Sequence, residues 1–344
     1  MEGMKLLFFI FGCLFLGVTV ASAQYQDYSR MGKTPAELKF IDDPLEIERK
    51  EPSWWFWNRP EKDSAADQLT YAAELERAGK VSQAIEAYDE LVHEWHATQE
   101  ALYAQLAIAR LESARGRAQA AYNADIYLLA YFSGLFTAGP VLEDAVAQAD
   151  FIVEEERQRS IKLRMGSGLR ANYERIIHFA PRWERVPDLL TKIANLYMED
   201  GEYASAITVF DRLIVDWPQY ERLDEVVWAY CEACRKMADA WARDTGRLKL
   251  LERLLAGALV FRPMHPGREQ ITQWKQEVMA LRRVEAYKKA CFYDNPKAYD
   301  PMAALLAYQA FLQEFPEAPE APQVRARISA LSAEVYGDEK EATK

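Results

Sequence analysis

Four stretches of the chain align without a gap: "VSQAIEAYDELVHEWH" (81–96), "GSGLRANYERIIHFAP" (166–181), "YASAITVFDRLIVDWP" (203–218) and "PMAALLAYQAFLQEFP" (301–316). A fifth, "LKLLERLLAGALVFRP" (248–263), follows them more loosely. The fourth position reads Ala84, Leu169, Ala206, Leu251 and Ala304, and the eighth reads Tyr88, Tyr173, Phe210, Leu255 and Tyr308. The eleventh and twelfth are mostly apolar. This spacing marks one face of a helix of period 3.6. A small fourth residue lets a neighbouring helix approach to about 8–10 Å, and the aromatic one turn later fills the wedge between the two. Pro181, Pro218, Pro263 and Pro316 end four of the five, because proline has no amide hydrogen and clashes with the preceding turn.

Each such helix has a partner upstream. "QLTYAAELERAGK" (68–80) precedes the first and "LLTKIANLYMEDGE" (189–202) precedes the third. Ala72 and Ala194 sit on their inner faces, and Gly79 and Gly201 end them, glycine taking the left-handed conformation at little cost. The unit is helix, glycine turn, helix, proline stop. It resembles the tetratricopeptide repeat. Residues 187–218 match through Ala194, Tyr197, Gly201, Ala206, Phe210 and Pro218, and residues 65–96 through Ala72, Gly79, Ala84 and Tyr88, with His96 in the proline place. The later prolines stand 37, 45 and 53 residues apart, against about 34 for the ideal repeat. The interval from His96 to Pro181 suits two units, one degenerate. It contains the apolar run Ile126 to Ala138, which is too short to span a bilayer; a buried helix or inter-repeat plug is expected there. No strand-like alternation persists after residue 60. The expected fold is all-α, a tetratricopeptide-like helix-pair solenoid of about five to six repeats.

Charge and composition exclude several roles. The 344 residues are 50% hydrophobic and 28% charged, with 42 basic against 53 acidic residues and a net charge of −11. Such a chain folds, but without a basic block it is a poor ligand for nucleic acid or anionic lipid. Its start reads as a signal peptide. Lys5 precedes the 15-residue run "LLFFIFGCLFLGVTV", and "ASA" at 21–23 is a small-residue cleavage site, so the mature chain is expected to begin near Gln24. Cys13 after Gly12 half-matches a lipoprotein site, but Phe11 is bulky there and apolar residues continue beyond; cleavage after Ala23 is preferred.

No catalytic constellation emerges. Only Cys231, Cys234 and Cys291 follow the leader, and "CEAC" (231–234) lies within a helical pattern, where packed core thiols are expected. His93 and His96 stand three apart without a completing carboxylate pair. Neither a phosphate loop nor a nucleophile elbow occurs. No cofactor, metal or enzymatic activity is expected. Asn195 holds the position at which some tetratricopeptide domains clamp a peptide carboxylate, but the companion position is Thr191, where a cation would be needed.

With its flanks included, the sequence is similar to the BamD-like lipoproteins of outer-membrane β-barrel assembly. The likeness is carried by "AAELERAGKVSQAIEAYDELV" (72–92), "IANLYMEDGEYASAITVFDRLIVDWP" (193–218) and the unit from 283 to 331 around Ala304, Tyr308 and Pro316. It covers most of residues 64–332 and is weak in 100–165 and 222–282. The resemblance implies a periplasmic, non-enzymatic scaffold at the inner face of the outer membrane. Its partners would be other envelope proteins, including β-barrel assembly components or nascent outer-membrane proteins, and membrane association would come through a partner or a lipid at Cys13. The alternative is an exported adaptor that recruits a cell-wall or polysaccharide enzyme.

The domain reading is a signal peptide (1–23), an extended segment (24–63), the repeat array (64–332) and a disordered polar tail (333–344). The extended segment carries "SWWFW" between Pro52 and Pro60. A solenoid's terminal repeat exposes an apolar side that needs a cover. Trp54, Trp55, Phe56 and Trp57 are therefore expected to cap the 68–92 helix pair, with one or two indoles left for a partner or a membrane interface, where Trp is favoured.

Overall fold

The computed structural model describes residues 47–52, 59–158 and 166–341. The expected signal peptide, Cys13 and Trp54, Trp55, Phe56 and Trp57 lie outside the described residues. Two compact units divide the chain, Met1–Ile152 and Val153–Lys344.

In the first unit, α1 (Ala65–Arg77) packs on α2 (Val81–Glu94), α2 on α3 (Gln99–Ala114), and α3 on α4 (Ala118–Tyr131). Helix α5 begins at Ala138 and runs to Gln158. Ala72 and Ala84 are fully buried, and Tyr88 is nearly so. The turn between α1 and α2 closes through Gly79, at φ +74°, where Lys80 N–H donates to Leu75 C=O at 2.9 Å. That bond satisfies a carbonyl orphaned at the helix end. Gly116 repeats the turn at φ +69°, with Arg117 N–H on Glu112 C=O at 3.0 Å. Ser64 and Thr98 cap α1 and α3, each side chain accepting from a first-turn amide.

Helices α1–α2 and α3–α4 are thus one motif repeated at a 37-residue step. Gly79 answers to Gly116, Ala72 to Ala109, Ala84 to Ala121 and Leu91 to Leu128. The expected apolar plug resolves into two parts. Ile126 to Leu129 are buried in α4, whereas Gly134, at φ +85°, turns the chain and Leu135 is exposed.

In the second unit, α6 (Gly166–Phe179) packs on α7 (Val186–Glu199), and α7 on α8 (Tyr203–Asp216). α9 (Leu223–Ala240), α10 (Thr245–Phe261), α11 (Arg268–Tyr293), α12 (Pro301–Glu314) and α13 (Ala321–Glu341) follow, each against the one before. Gly201, at φ +76°, makes the third copy of the glycine turn, with Glu202 N–H on Tyr197 C=O at 2.9 Å. Tyr173, Ala194, Ala206, Phe210, Ala304 and Tyr308 are all buried. Pro181, Pro218, Pro263 and Pro316 each stand two residues beyond the last helical residue of α6, α8, α10 and α12. The described residues are all-α, a succession of tetratricopeptide-like helix pairs. One expectation is corrected: the tail from 333 continues α13 as far as Glu341, because no proline interrupts the stretch and Ala333, Glu334, Glu339, Lys340 and Glu341 are good helix formers.

Candidate functional site: a groove that holds an extended segment

The first two helix pairs each bury a glutamine on their inner face, at Gln68 and Gln105, again 37 residues apart. Gln68 Nε2 donates to Ala87 C=O at 3.0 Å, and Gln105 Nε2 donates to Ala124 C=O at 3.2 Å. Pinning the amide nitrogen fixes where the oxygen points. Each Oε1 accepts from the stretch ahead of α1: Gln68 from the backbone N–H of Lys62 at 3.1 Å, Gln105 from Lys50 Nζ at 3.0 Å. In the α7–α8 pair the corresponding residue is Leu190, a buried apolar side chain.

Residues 47–51 lie on α2 and α4 through their backbone, and on α3 through the Lys50 side chain. Tyr131 O–H donates to Ile47 C=O. Lys50 N–H donates to the Tyr127 hydroxyl at 3.1 Å, and that hydroxyl is hydrogen-bonded to His96 Nε2 at 2.7 Å. His93 Nδ1–H donates to Glu51 C=O at 2.7 Å. Three backbone groups of the segment, Ile47 C=O, Lys50 N–H and Glu51 C=O, are therefore paired with side chains of the helices and not with a strand. His96 stacks on Phe132, with ring centroids 5.1 Å apart, and meets Tyr127 and Tyr131 edge-on.

The Lys50 ammonium sits in a three-sided cage. Asp89 Oδ1 lies at 2.5 Å, Gln105 Oε1 at 3.0 Å, and the Tyr127 ring centroid at 4.9 Å. Ion pair, amide oxygen and aromatic face together make a cation site. Burial would raise Asp89, but the His93 hydrogen bond and the Lys50 charge outweigh it and hold the carboxyl at about 2. The Asp89 hydrogen bond pushes His93 up, whereas burial pulls His96 down. The two histidines of 93–96 thus face different partners and do not converge on one point.

No family model matches the chain, and no curated protein matches it. Among solved structures it is similar to the C-terminal part of a TPR repeat-containing protein from Cytophaga hutchinsonii, at 12% identity and a TM-score of 0.23, over 74% of this chain and 98% of that one. A likeness at that score carries no argument. The architecture rests on the glycine turns, buried alanines and proline stops of this chain.

Other sequence candidates lie elsewhere. Thr191 and Asn195 are on α7; Thr191 Oγ1 donates to Pro187 C=O at 2.8 Å, and Asn195 is exposed. Cys231 and Cys234 are fully buried in α9, where burial pushes the Cys231 thiol up to about 12; neither is a nucleophile at neutral pH. Among the described residues no helix is long and apolar enough to cross a membrane. The groove itself was not legible as a motif, because Lys50, Asp89, Gln105 and Tyr127 fall on four separate elements. The one available signal was the 37-residue pairing of Gln68 with Gln105.

Proposed function

We propose that the protein is a non-enzymatic, protein-binding scaffold of the bacterial envelope, BamD-like, and engaged in outer-membrane protein assembly or envelope organisation. The observation that carries the protein-binding reading is the seating of residues 47–51: the first unit takes an extended polypeptide by its backbone and by one charged side chain. Helix-pair arrays commonly bind peptides in this way. Export to the periplasm is supported by the Lys5 to Ala23 leader pattern, and the BamD-like role by the three stretches that carry that resemblance. The mature chain, tagged at its C-terminus and used to capture partners from envelope extract, is expected to recover β-barrel assembly components or nascent barrel proteins. Recovery of cell-wall enzymes in their place would favour the adaptor reading and reject this one.

A further inference from the structure

The buried Gln105 of α3 and the ionised Asp89 of α2 are polar groups aimed at one ammonium, on two successive helix pairs. In the α7–α8 pair the same position holds Leu190, a buried apolar side chain. A polar side chain in such a place costs stability unless it is satisfied, and here satisfaction comes from Lys50. We propose that the face formed by α2, α3 and α4 is a lysine-reading site for an extended polypeptide, closed in cis by residues 47–51 and opened when a lysine-bearing segment of a partner protein takes their place.

The backbone register belongs to the site as much as the cage does. Tyr131 and His93 donate to carbonyls at 47 and 51, while Tyr127 accepts the amide at 50. These contacts read main chain and tolerate any sequence. Selectivity falls on the one side chain that enters the cage. An arginine would present a planar fork to a pocket built for a compact ammonium, and an uncharged residue would leave Asp89 without its ammonium partner, with His93 still beside it. Because the occupant is tethered, its effective concentration is about millimolar, so an external segment competes against it directly. The proposal rests on the reading of this protein as a polypeptide-binding scaffold, and it adds the chemistry of what is bound and how the site is kept closed.

A labelled peptide with the sequence of residues 45–52, "LEIERKEP", titrated by fluorescence anisotropy, tests this on the full mature chain. Lys50→Met in the protein vacates the cage without altering a core residue. That variant is expected to bind the peptide about tenfold or more tightly than wild type, whose own segment competes. Replacing lysine by methionine in the peptide is expected to lose about tenfold, and Asp89→Asn in the Lys50→Met background about the same, with unchanged circular dichroism throughout. Equal affinity of wild type and Lys50→Met, equal affinity for the two peptides, or no binding at all would overturn the proposal. So would a wild-type dimer in sedimentation that Lys50→Met abolishes, since the segment would then occupy a second copy. A failed titration alongside successful capture of envelope partners would remove the lysine site and leave the scaffold. A lysine-dependent titration with no envelope partner captured would do the reverse.

Discussion

Asp125→Asn is expected to stabilise the protein by up to about 5 kcal/mol at pH 8 and by about 1 kcal/mol or less at pH 4.5. Asp125 occupies the slot on α4 that Tyr88 and Phe210 fill in their own helices, and it is buried. Burial first, and then the charge of Asp144, push its carboxyl up to about 8, against about 3.9 in an unfolded chain. Below pH 4 both states carry the proton and there is no penalty. Between about pH 4 and pH 8 the unfolded chain releases its proton while the folded chain retains it, so stability falls as pH rises, by up to about 1.4 kcal/mol per unit. Above pH 8 the penalty is complete. Asparagine removes the titration, and the variant's stability should be nearly flat across the window. Urea unfolding followed by circular dichroism at the two pH values reads the difference. An equal gap between the two proteins at both pH values would contradict the assignment.

Arg282→Met is expected to cost about 2–4 kcal/mol, among the larger losses for a single change in the second unit. The guanidinium on α11 is buried, bonded to Glu252 Oε2 of α10 at 3.0 Å and to Glu314 of α12, and it lies 4.5 Å from the centroid of the Phe315 ring. One side chain therefore joins three successive helices. Removing it leaves the partly buried Glu252 without its cation. The figure sits below the full range for a broken buried pair because Glu314 is partly open to water and also bonds Lys249. Adding Glu252→Gln should recover part of the loss. A double-mutant cycle in chemical denaturant gives the coupling, and additive losses would show that the pair contributes nothing of its own.

The helix pairs were readable wherever the packing residues kept to pattern. Ala72, Gly79, Ala84 and Tyr88 announce the first pair, and Ala194, Gly201, Ala206 and Phe210 announce the α7–α8 pair, because each occupies the one place where size or backbone freedom is restricted. The α3–α4 pair was obscured by two departures. Asp125 stands in the aromatic slot, and α4 buries residues around most of its circumference from Ala121 to Leu129, which erases the amphipathic signal. Gly116, Ala109 and Ala121 were nevertheless in register all along. The groove was hidden for a different reason. A peptide site is a juxtaposition of distant residues, and hydrogen bonds such as Lys50 to Tyr127 or Tyr131 to Ile47 connect positions 77 and 84 residues apart. No period in the sequence records them. The helix at 333–341, expected to be disordered, shows that polar composition alone does not end a helix when neither proline nor a packing boundary does.

The central claim is that residues 47–51 occupy the α2–α4 face with Lys50 against Asp89. Zero-length carbodiimide coupling of the full chain, followed by digestion and mass spectrometry, tests it most directly, since only an ammonium and a carboxylate in contact are joined. The account predicts a Lys50–Asp89 crosslink in the monomer that disappears in Asp89→Asn and is suppressed by excess 45–52 peptide. Coupling of Lys50 chiefly to carboxylates away from α2, or a Lys50–Asp89 link found only between two copies, would contradict it.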